Sequence, residues 1–402
     1  MSDKGKQQTK VVNRIVIAVD SFKHCLSSLQ VAEILERELL AINPDLRITK
    51  IPIADGGEGT IEALVSSTKG RIVYCDTYGP LLKPLRAPYG VLGDKKTAAI
   101  EMAVTCGLGM VEGQDKNPWH TTTYGMGDQI KQALTAGYRR FIIGIGGGCV
   151  NDGGLGLLQA LGFIFADSSG KELERGGGGK QLSQLCSIDM TKVDKRLADC
   201  EFIVASDVSN PLHGSNGAAY VYGPQKGADP TMVKLLDEGL INYGRVIKET
   251  IGVDFSEVKG AGAAGGCGAG LMAFLNAVLI PGIEIVLRES SFKQLLNETD
   301  LVITGEGKLD YQTLSGKVPL GIAAACSDFA VSTIAVAGRV ELTEKEVLAT
   351  GIEKTYEVSP AELDLDEAFR LTEQNLALVV HKIAADYGLH KRITKPAKSI
   401  IM

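Results

Sequence analysis

Thirteen residues constrain this chain more than any others. Gly144-Ile-Gly-Gly-Gly-Cys-Val-Asn-Asp-Gly-Gly-Leu-Gly156 holds seven glycines and lies between two apolar runs, 140–145 and 155–161. The first run reads as a buried strand and the second as a helix. Glycine lets backbone amides approach an anion from a tight, positive-φ turn. A helix starting there adds unpaired N–H groups and the positive end of its dipole. The embedded Asn151-Asp152 pair puts an oxygen acceptor and a carboxylate beside the loop, as magnesium or a substrate hydroxyl would need. A chain with this segment has to build a strand–loop–helix unit, and the composite points to phosphate handling.

At 402 residues the chain exceeds a single compact core, so two domains are expected. A net charge of −6 with interspersed signs excludes a basic field for nucleic acid. There is no apolar run long enough for a membrane span and no signal-peptide pattern, and the opening MSDKGKQQTK is polar and expected to fray. The cysteines at 25, 75, 106, 149, 186, 200, 267 and 326 lack C-x-x-C spacing and fall mostly in apolar runs. That pattern favours free, buried thiols in a reducing cytoplasm. Cys25 and Cys149 lie within motifs but read as small space-fillers.

The N-terminal part alternates: strand 13–20, helix 28–42, strand 47–54, helix 58–67, strand 70–76. Ser27 and Gln30 have capping-box spacing at the first helix. This βαβαβ order is the signature of a parallel, doubly wound sheet. Tyr78-Gly-Pro-Leu-Leu-Lys-Pro84 interrupts it with two prolines and reads as a domain crossing. Strands at 96–102, 140–146, 201–207 and 218–222 follow, with a helix at 121–136 and a mobile, glycine-rich surface loop at 171–180. After a helix at 268–279, strands at 300–305 and 331–337 alternate with helices at 318–328 and 366–387. The expected fold is α/β. Residues 1–81 and 281–402 form a doubly wound parallel-sheet domain of the Rossmann or flavodoxin type. A second, glycine-rich α/β domain at 82–280 is inserted in it.

Several expected strands end in carboxylates or small polar groups: Asp20-Ser-Phe-Lys23, Asp55-Gly-Gly-Glu58, Ser206-Asp207 and Thr304-Gly-Glu306-Gly-Lys308. In open α/β sheets, ligands bind at the carboxyl ends of the strands. Asp55 and Glu58 also have the spacing of a purely structural capping box. No P-loop is present; the nearest pairs, Gly307-Lys308 and Gly316-Lys317, lack its hydroxyl residue and spacing. Gly260-Ala-Gly-Ala-Ala-Gly265 matches the dinucleotide pattern, but Val253-Asp-Phe-Ser-Glu-Val-Lys259 before it makes a poor strand, so a close-packed helix entry is expected there. The histidines at 24, 120, 213, 381 and 390 show no zinc spacing. A hard cation held by carboxylates and phosphate fits better. A serine nucleophile elbow is absent.

These motifs, in this order, resemble the bacterial type I glycerate kinase family. The matching stretches begin with Asp20-Ser-Phe-Lys23, Pro52-Ile-Ala-Asp-Gly-Gly-Glu-Gly-Thr60, Glu101-Met-Ala103, Asn117-Pro118, Thr121-Thr-Thr-Tyr-Gly125 and the glycine-rich segment. They continue with Ser206-Asp-Val-Ser-Asn-Pro-Leu212, Gly223-Pro-Gln-Lys-Gly-Ala228, Gly262-Ala-Ala-Gly-Gly266, Thr304-Gly-Glu-Gly-Lys308 and Asp310-Tyr-Gln-Thr313. Two departures stand out. The family's glycine-serine-alanine-threonine appears as Gly147-Gly148-Cys149-Val150, and its glycine-serine after the lysine appears as His24-Cys25. The resemblance implies two α/β domains and ATP-dependent, magnesium-dependent phosphorylation of D-glycerate, in many members at the 2-hydroxyl. Partners are then small molecules, with neither nucleic acid nor membrane, and a homo-oligomer is compatible.

On that reading Lys23, Asp207 and Asp310 are the catalytic candidates. Lys23 would neutralise a phosphate or the glycerate carboxylate, and Asp207 or Asp310 would take the hydroxyl proton. Nucleotide contacts are expected from Gly146, Gly147, Gly148, Asn151, Gly153, Gly154, Gly305 and Lys308. Ser21, Lys23, Gly56, Gly57 and Gln312 are expected to hold glycerate, and some of Asp55, Glu58, Asp152 and Glu306 the magnesium. Lys308 or Lys317 would stabilise the transferred charge. Three rivals remain: transfer to the 3-hydroxyl, a non-catalytic sensor of a nucleotide or hydroxy acid, and a nicotinamide oxidoreductase resting on the 260–265 glycines.

Overall fold

The computed structural model describes residues 12–391 except 24, 312, 316 and 360–362. The expected frayed start, His24 and Gln312 therefore lie outside the described residues. In chain order the strands are β1 (Arg14–Val19), β2 (Arg47–Lys50), β3 (Arg71–Tyr78), β4 (Pro84–Val91), β5 (Thr97–Glu101), β6 (Arg140–Gly144) and β7 (Ile164–Ala166). Next come β8 (Ser187–Asp189), β9 (Glu201–Ala205), β10 (Val278–Ile280), β11 (Leu301–Leu309), β12 (Ser332–Val340) and β13 (Lys354–Glu357). The chain forms two compact units, one from residues up to Ile53 and from Ser291 onward, the other Ala54–Ser290.

The first unit holds a five-stranded sheet, β13-β12-β11-β1-β2, parallel at every pairing. Five of the six β1 residues are buried, as a central parallel strand with both faces covered requires. The helix Ser28–Ile42 starts where the sequence predicts. The Gln30 amide donates to the Ser27 hydroxyl, and the Ser27 amide donates to the Gln30 side chain, a box worth about 1 kcal/mol. Its apolar stripe of Val31, Leu35 and Leu39 shares a core with Leu376, Val380 and Ile383 of the helix Leu365–Asp386.

The second unit holds a six-stranded mixed sheet, β10-β9-β6-β5-β4-β3. Strands β5, β6, β9 and β10 run parallel, whereas β3–β4 and β4–β5 are antiparallel. Phe141 and Phe202 stack in its core with ring centroids 5.0 Å apart. Both units are thus α/β with parallel strands, but four expectations need correction. The third strand of the supposed βαβαβ run is β3, and it pairs in the second sheet, so the units break at 53/54 and 290/291, not at 81/82 and 280/281. The proline segment after it is a hairpin loop, closed by the Gly79 amide donating to the Lys83 carbonyl at 2.8 Å. Residues 218–222 form a helix, Ala218–Tyr222, in place of the expected strand; periodicity does not discriminate in so short an apolar run. Within the expected surface loop 171–180, Lys171, Glu172, Glu174 and Arg175 are exposed, but glycines 176–179 are buried, with Gly178 and Gly179 packed against backbone of Trp119, His120, Pro118 and Asn151, so its glycine half is a close-packed turn.

Candidate active site

In the second unit, the carboxyl ends of β5, β6 and β9 carry Glu101, the glycine-rich segment and Ser206-Asp207. The loop Asp55-Gly56-Gly57-Glu58 packs directly on them. The Gly146 amide donates to the Gly56 carbonyl at 2.9 Å, and a Cβ on Gly56 would lie 2.6 Å from the Ala205 carbonyl oxygen. Gly56 itself has φ +94°. Only glycine permits both that backbone and that approach. Asp207 accepts the Gly282 amide at 3.1 Å. The expected residues Asp55, Gly56, Gly57, Gly146 and Asp207 are therefore gathered at one sheet end. No Asp55–Glu58 capping box forms. Helix Thr60–Thr68 has Gly59 as its N-cap, and Asp55 accepts the Gly57 amide at 3.1 Å. Asp55 is half-buried and Glu58 exposed, and both carry hard oxygen donors at the loop.

Farther along the segment the structure departs from expectation. Asp152 is completely buried. It accepts from the Thr123 amide at 2.8 Å, the Thr122 and Thr123 hydroxyls, and the Gly154 and Gly156 amides. Leu157 donates its amide to the Thr123 hydroxyl at 2.9 Å, and Gly153 donates to the Gly265 carbonyl at 3.0 Å. The start of the helix Leu155–Ala160 is thus satisfied by the protein. Asp152 is an internal brace and not a metal ligand, and the Gly153 and Gly154 amides are spent within the chain. Lys226, 3% exposed, donates to the Val150 carbonyl at 2.6 Å. Burial pushes its ammonium down to about 8. Among the described residues, both polar atoms of the buried Asn151 side chain lack a hydrogen-bond partner, so a bound water or ligand oxygen would be stabilised there.

The family departures at 148 and 150 face inward. A Cβ on Gly148 would lie 2.3 Å from the Met102 sulfur, and Val150 has no exposure. Cys149 is equally buried, its amide donating to the Cys106 carbonyl at 2.8 Å, and burial pushes its thiol up to about 11.

In the first unit, β1 runs into Asp20-Ser21, with the Asp20 amide donating to the Gly305 carbonyl at 2.8 Å and the Asp20 carboxylate accepting the Ser21 amide at 2.6 Å. A Cβ on Gly307 would lie 3.3 Å from the Lys23 backbone nitrogen, so the Phe22–Lys23 backbone crosses tightly over β11 and Lys23 itself is exposed. Glu306 is 7% exposed and accepts a hydrogen bond from the Thr313 hydroxyl. Burial raises its pKa, while Lys317 and Lys23 oppose that shift and Asp310 adds to it. Lys23, Asp310 and Lys317 therefore gather around one buried carboxylate. Two further expected residues have local partners here. Gly305 lies inside β11, paired with Val19 and Val336, where a Cβ would come 2.0 Å from the Val336 carbonyl oxygen; its role is strand approach. Lys308 is on the surface and pairs with Glu341 at 2.9 Å and Asp310 at 3.7 Å.

The expected magnesium set is not assembled: among the described residues no three His, Cys, Asp or Glu side chains are grouped as metal ligands. Asp55 and Glu58 suit a magnesium that takes most of its oxygens from nucleotide phosphates and water. The 260–265 glycines follow no strand and enter the helix Ala263–Leu275, so the dinucleotide pattern lacks its structural context. Sequence reasoning gave no role to Lys226 or Glu101. The available signal for Glu101 was a carboxylate closing an apolar strand.

Residues 15–388 match the model of the Glycerate kinase family. The chain is 44% identical over 378 residues to the glycerate kinase of Bacillus subtilis (strain 168), covering 94% of this chain and 98% of that one. It is also 44% identical over 379 residues to the glycerate 2-kinase of Escherichia coli (strain K12), covering 94% and 99%. A crystal structure of a protein assigned as glycerate kinase 2 from Salmonella typhimurium LT2 superposes with a TM-score of 0.83 at 43% identity, over 94% of this chain and 98% of that one. Near-full-length agreement in sequence and fold puts this chain in the glycerate kinase family, as an enzyme of that kind.

Proposed function

We propose that the enzyme transfers the γ-phosphoryl group of ATP to the 2-hydroxyl of D-glycerate, giving 2-phospho-D-glycerate and ADP. The observation that carries this reading is the pair of glycine-rich turns, 55–58 and 144–148, packed on each other at the carboxyl ends of parallel strands. Such turns suit an anion that needs close backbone approach. The Escherichia coli relative, a glycerate 2-kinase by name, supports the position of transfer.

The glycerate oxygen attacks the γ-phosphorus as the bond to the β–γ bridging oxygen breaks, and ADP departs with that electron pair. The hydroxyl proton passes to a carboxylate. Asp207 is the first candidate, because it sits one strand from the glycine-rich segment; Asp310 is the second. Gly147, Gly148 and Asn151 stay as nucleotide contacts, while the Gly146 amide, spent on the Gly56 carbonyl, ties the two turns together. In the first unit, Lys23 and Lys317 supply the positive charge for a phosphate or the glycerate carboxylate, with Ser21 beside them. Magnesium would neutralise the nucleotide phosphates, with Asp55 and Glu58 as its protein ligands. We place the enzyme in the cytoplasm, a setting that buried, high-pKa thiols such as Cys149 and Cys326 suit.

Phosphorus NMR of the protein with ATP, magnesium and D-glycerate tests the proposal. A 2-phosphoglycerate resonance is expected. A 3-phosphoglycerate resonance overturns the position, and ligand binding without product replaces the kinase by a sensor. For the base, Asp207→Asn is expected to lower kcat by about 10²–10⁴-fold; wild-type kcat in that variant transfers the role to Asp310.

A further inference from the structure

Glu101 ends β5, is 2% exposed and spends both carboxylate oxygens on one loop. Oε1 accepts the Gly59 amide at 3.1 Å, and Oε2 accepts the Ile61 amide at 3.0 Å. These amides lie at the exit of Asp55-Gly56-Gly57-Glu58. The helix that follows has no side-chain cap at its own N-cap residue, Gly59, which sits at φ +87°. A local Ser or Asp cap would hold the helix to itself. A carboxylate from 42 positions away holds the loop exit to the sheet instead. The register also puts Glu101 opposite Gly144, where the second glycine-rich turn leaves β6. One side chain thus stands beneath both turns, and two hydrogen bonds from the start of a helix to one buried carboxyl make it a stiff strut.

We propose that Glu101 is a positioning residue for glycerate phosphorylation, fixing the presentation of Asp55 and Glu58 by clamping the Gly59 and Ile61 amides without touching substrate. The inference rests on the reading of Asp55 and Glu58 given above. A displacement of about 1 Å at reacting groups can cost about 10²-fold in rate, so a slackened loop should show in turnover before it shows in folding.

The test compares Glu101→Gln with Asp94→Asn. Asp94 braces the turn at the opposite end of β5, accepting the Lys96 amide at 2.9 Å, the Thr97 amide at 3.0 Å and the Thr97 hydroxyl at 2.6 Å. Melting temperature, kcat and both KM values are measured on folded protein. Glu101→Gln is expected to lower kcat about tenfold or more with KM for glycerate and ATP within about threefold, whereas Asp94→Asn loses comparable stability at near-wild-type kcat. Equal kcat in the two variants sinks the proposal. Should Glu101→Gln fail to fold, Glu101→Asp keeps the charge but falls short of the amides, and the same drop in kcat is expected. Asp55→Asn and Glu58→Gln run in parallel. Wild-type kcat/KM in both removes the loop reading itself. Loss in those two without loss in Glu101→Gln removes the positioning role alone.

Discussion

Asp152 illustrates how a residue can be conspicuous for one reason and important for another. Next to glycines, it suggests a metal ligand, yet five donors converge on its buried carboxylate. A carboxylate is acceptor-only, so Asp152→Asn would turn an NH2 group toward N–H and O–H donors. The expected cost is about 2–4 kcal/mol of unfolding free energy, read by urea titration, with no specific loss of magnesium affinity in the protein that still folds. Lys226 carries a second prediction. Its native pKa is about 8 against 10.5 for the free side chain, because burial penalises the ammonium. Between those values the unfolded chain binds more protons than the native one, so native stability rises with pH through that window. Below about pH 8 the native state bears the full cost of the buried charge. The stability of wild type relative to Lys226→Met should therefore climb by about 2–3 kcal/mol from pH 8 to 10.5. Urea titrations across that range check it, and a flat difference would contradict a buried, ionisable amine.

Among the elements, the entry to the helix Ala263–Leu275 is the most strained. Ala264, Gly265 and Gly266 hold successive φ values of +53°, +69° and +88°. A Cβ on Gly265 would lie 2.3 Å from the Val150 carbonyl oxygen and 2.5 Å from the Asn151 Cα. Gly252 has a similar φ, +77°, at the end of the helix Pro230–Ile251 but nothing within 4 Å of its Cβ position. Gly252→Ala should cost about 1 kcal/mol, the backbone penalty alone. Gly265→Ala should cost about 3 kcal/mol or more, since rigid backbone has to move. Urea unfolding of the pair separates conformation from collision, and equal losses would refute the close packing. The sequence already marked these glycines as a packed helix entry, and it marked the Ser27–Gln30 box to the residue. It misplaced β3 because alternation reports burial and direction but not which sheet a strand joins. Pro84 read as a breaker, yet β4 begins on it, and the first position of a strand is one that tolerates proline. The glycine turns were legible because glycine density reflects backbone constraint. The roles of Asp55, Asp152 and Glu101 were not, since spacing does not say which amide a carboxylate meets once the chain has turned.

For the whole molecule, chain connectivity sets an order of events. The second unit is one continuous stretch, Ala54–Ser290, with its own sheet and a core that runs from Tyr89 to Ala277. The first unit is closed by β1 against β11, where the Arg14 amide reaches Asp300 across 286 positions. Loop closure costs more with length, by about 0.6 kcal/mol per doubling for a flexible chain. A folded insert shortens that loop to its own end-to-end span and removes most of the cost. Folding of the second unit should therefore precede that of the first. Pulse-labelled hydrogen exchange during refolding reads this directly. Amides of Phe141, Ile142 and Ile143 in β6 should gain protection before those of Val302, Ile303 and Thr304 in β11. A core substitution in the second unit, such as Phe141→Ala beside Phe202, should delay protection in both units. Its counterpart in the first unit, Leu35→Ala, should leave the earlier phase unchanged. Protection of β11 before β6 would mean that the chain ends find each other across an unfolded insert, and the connectivity argument would fall.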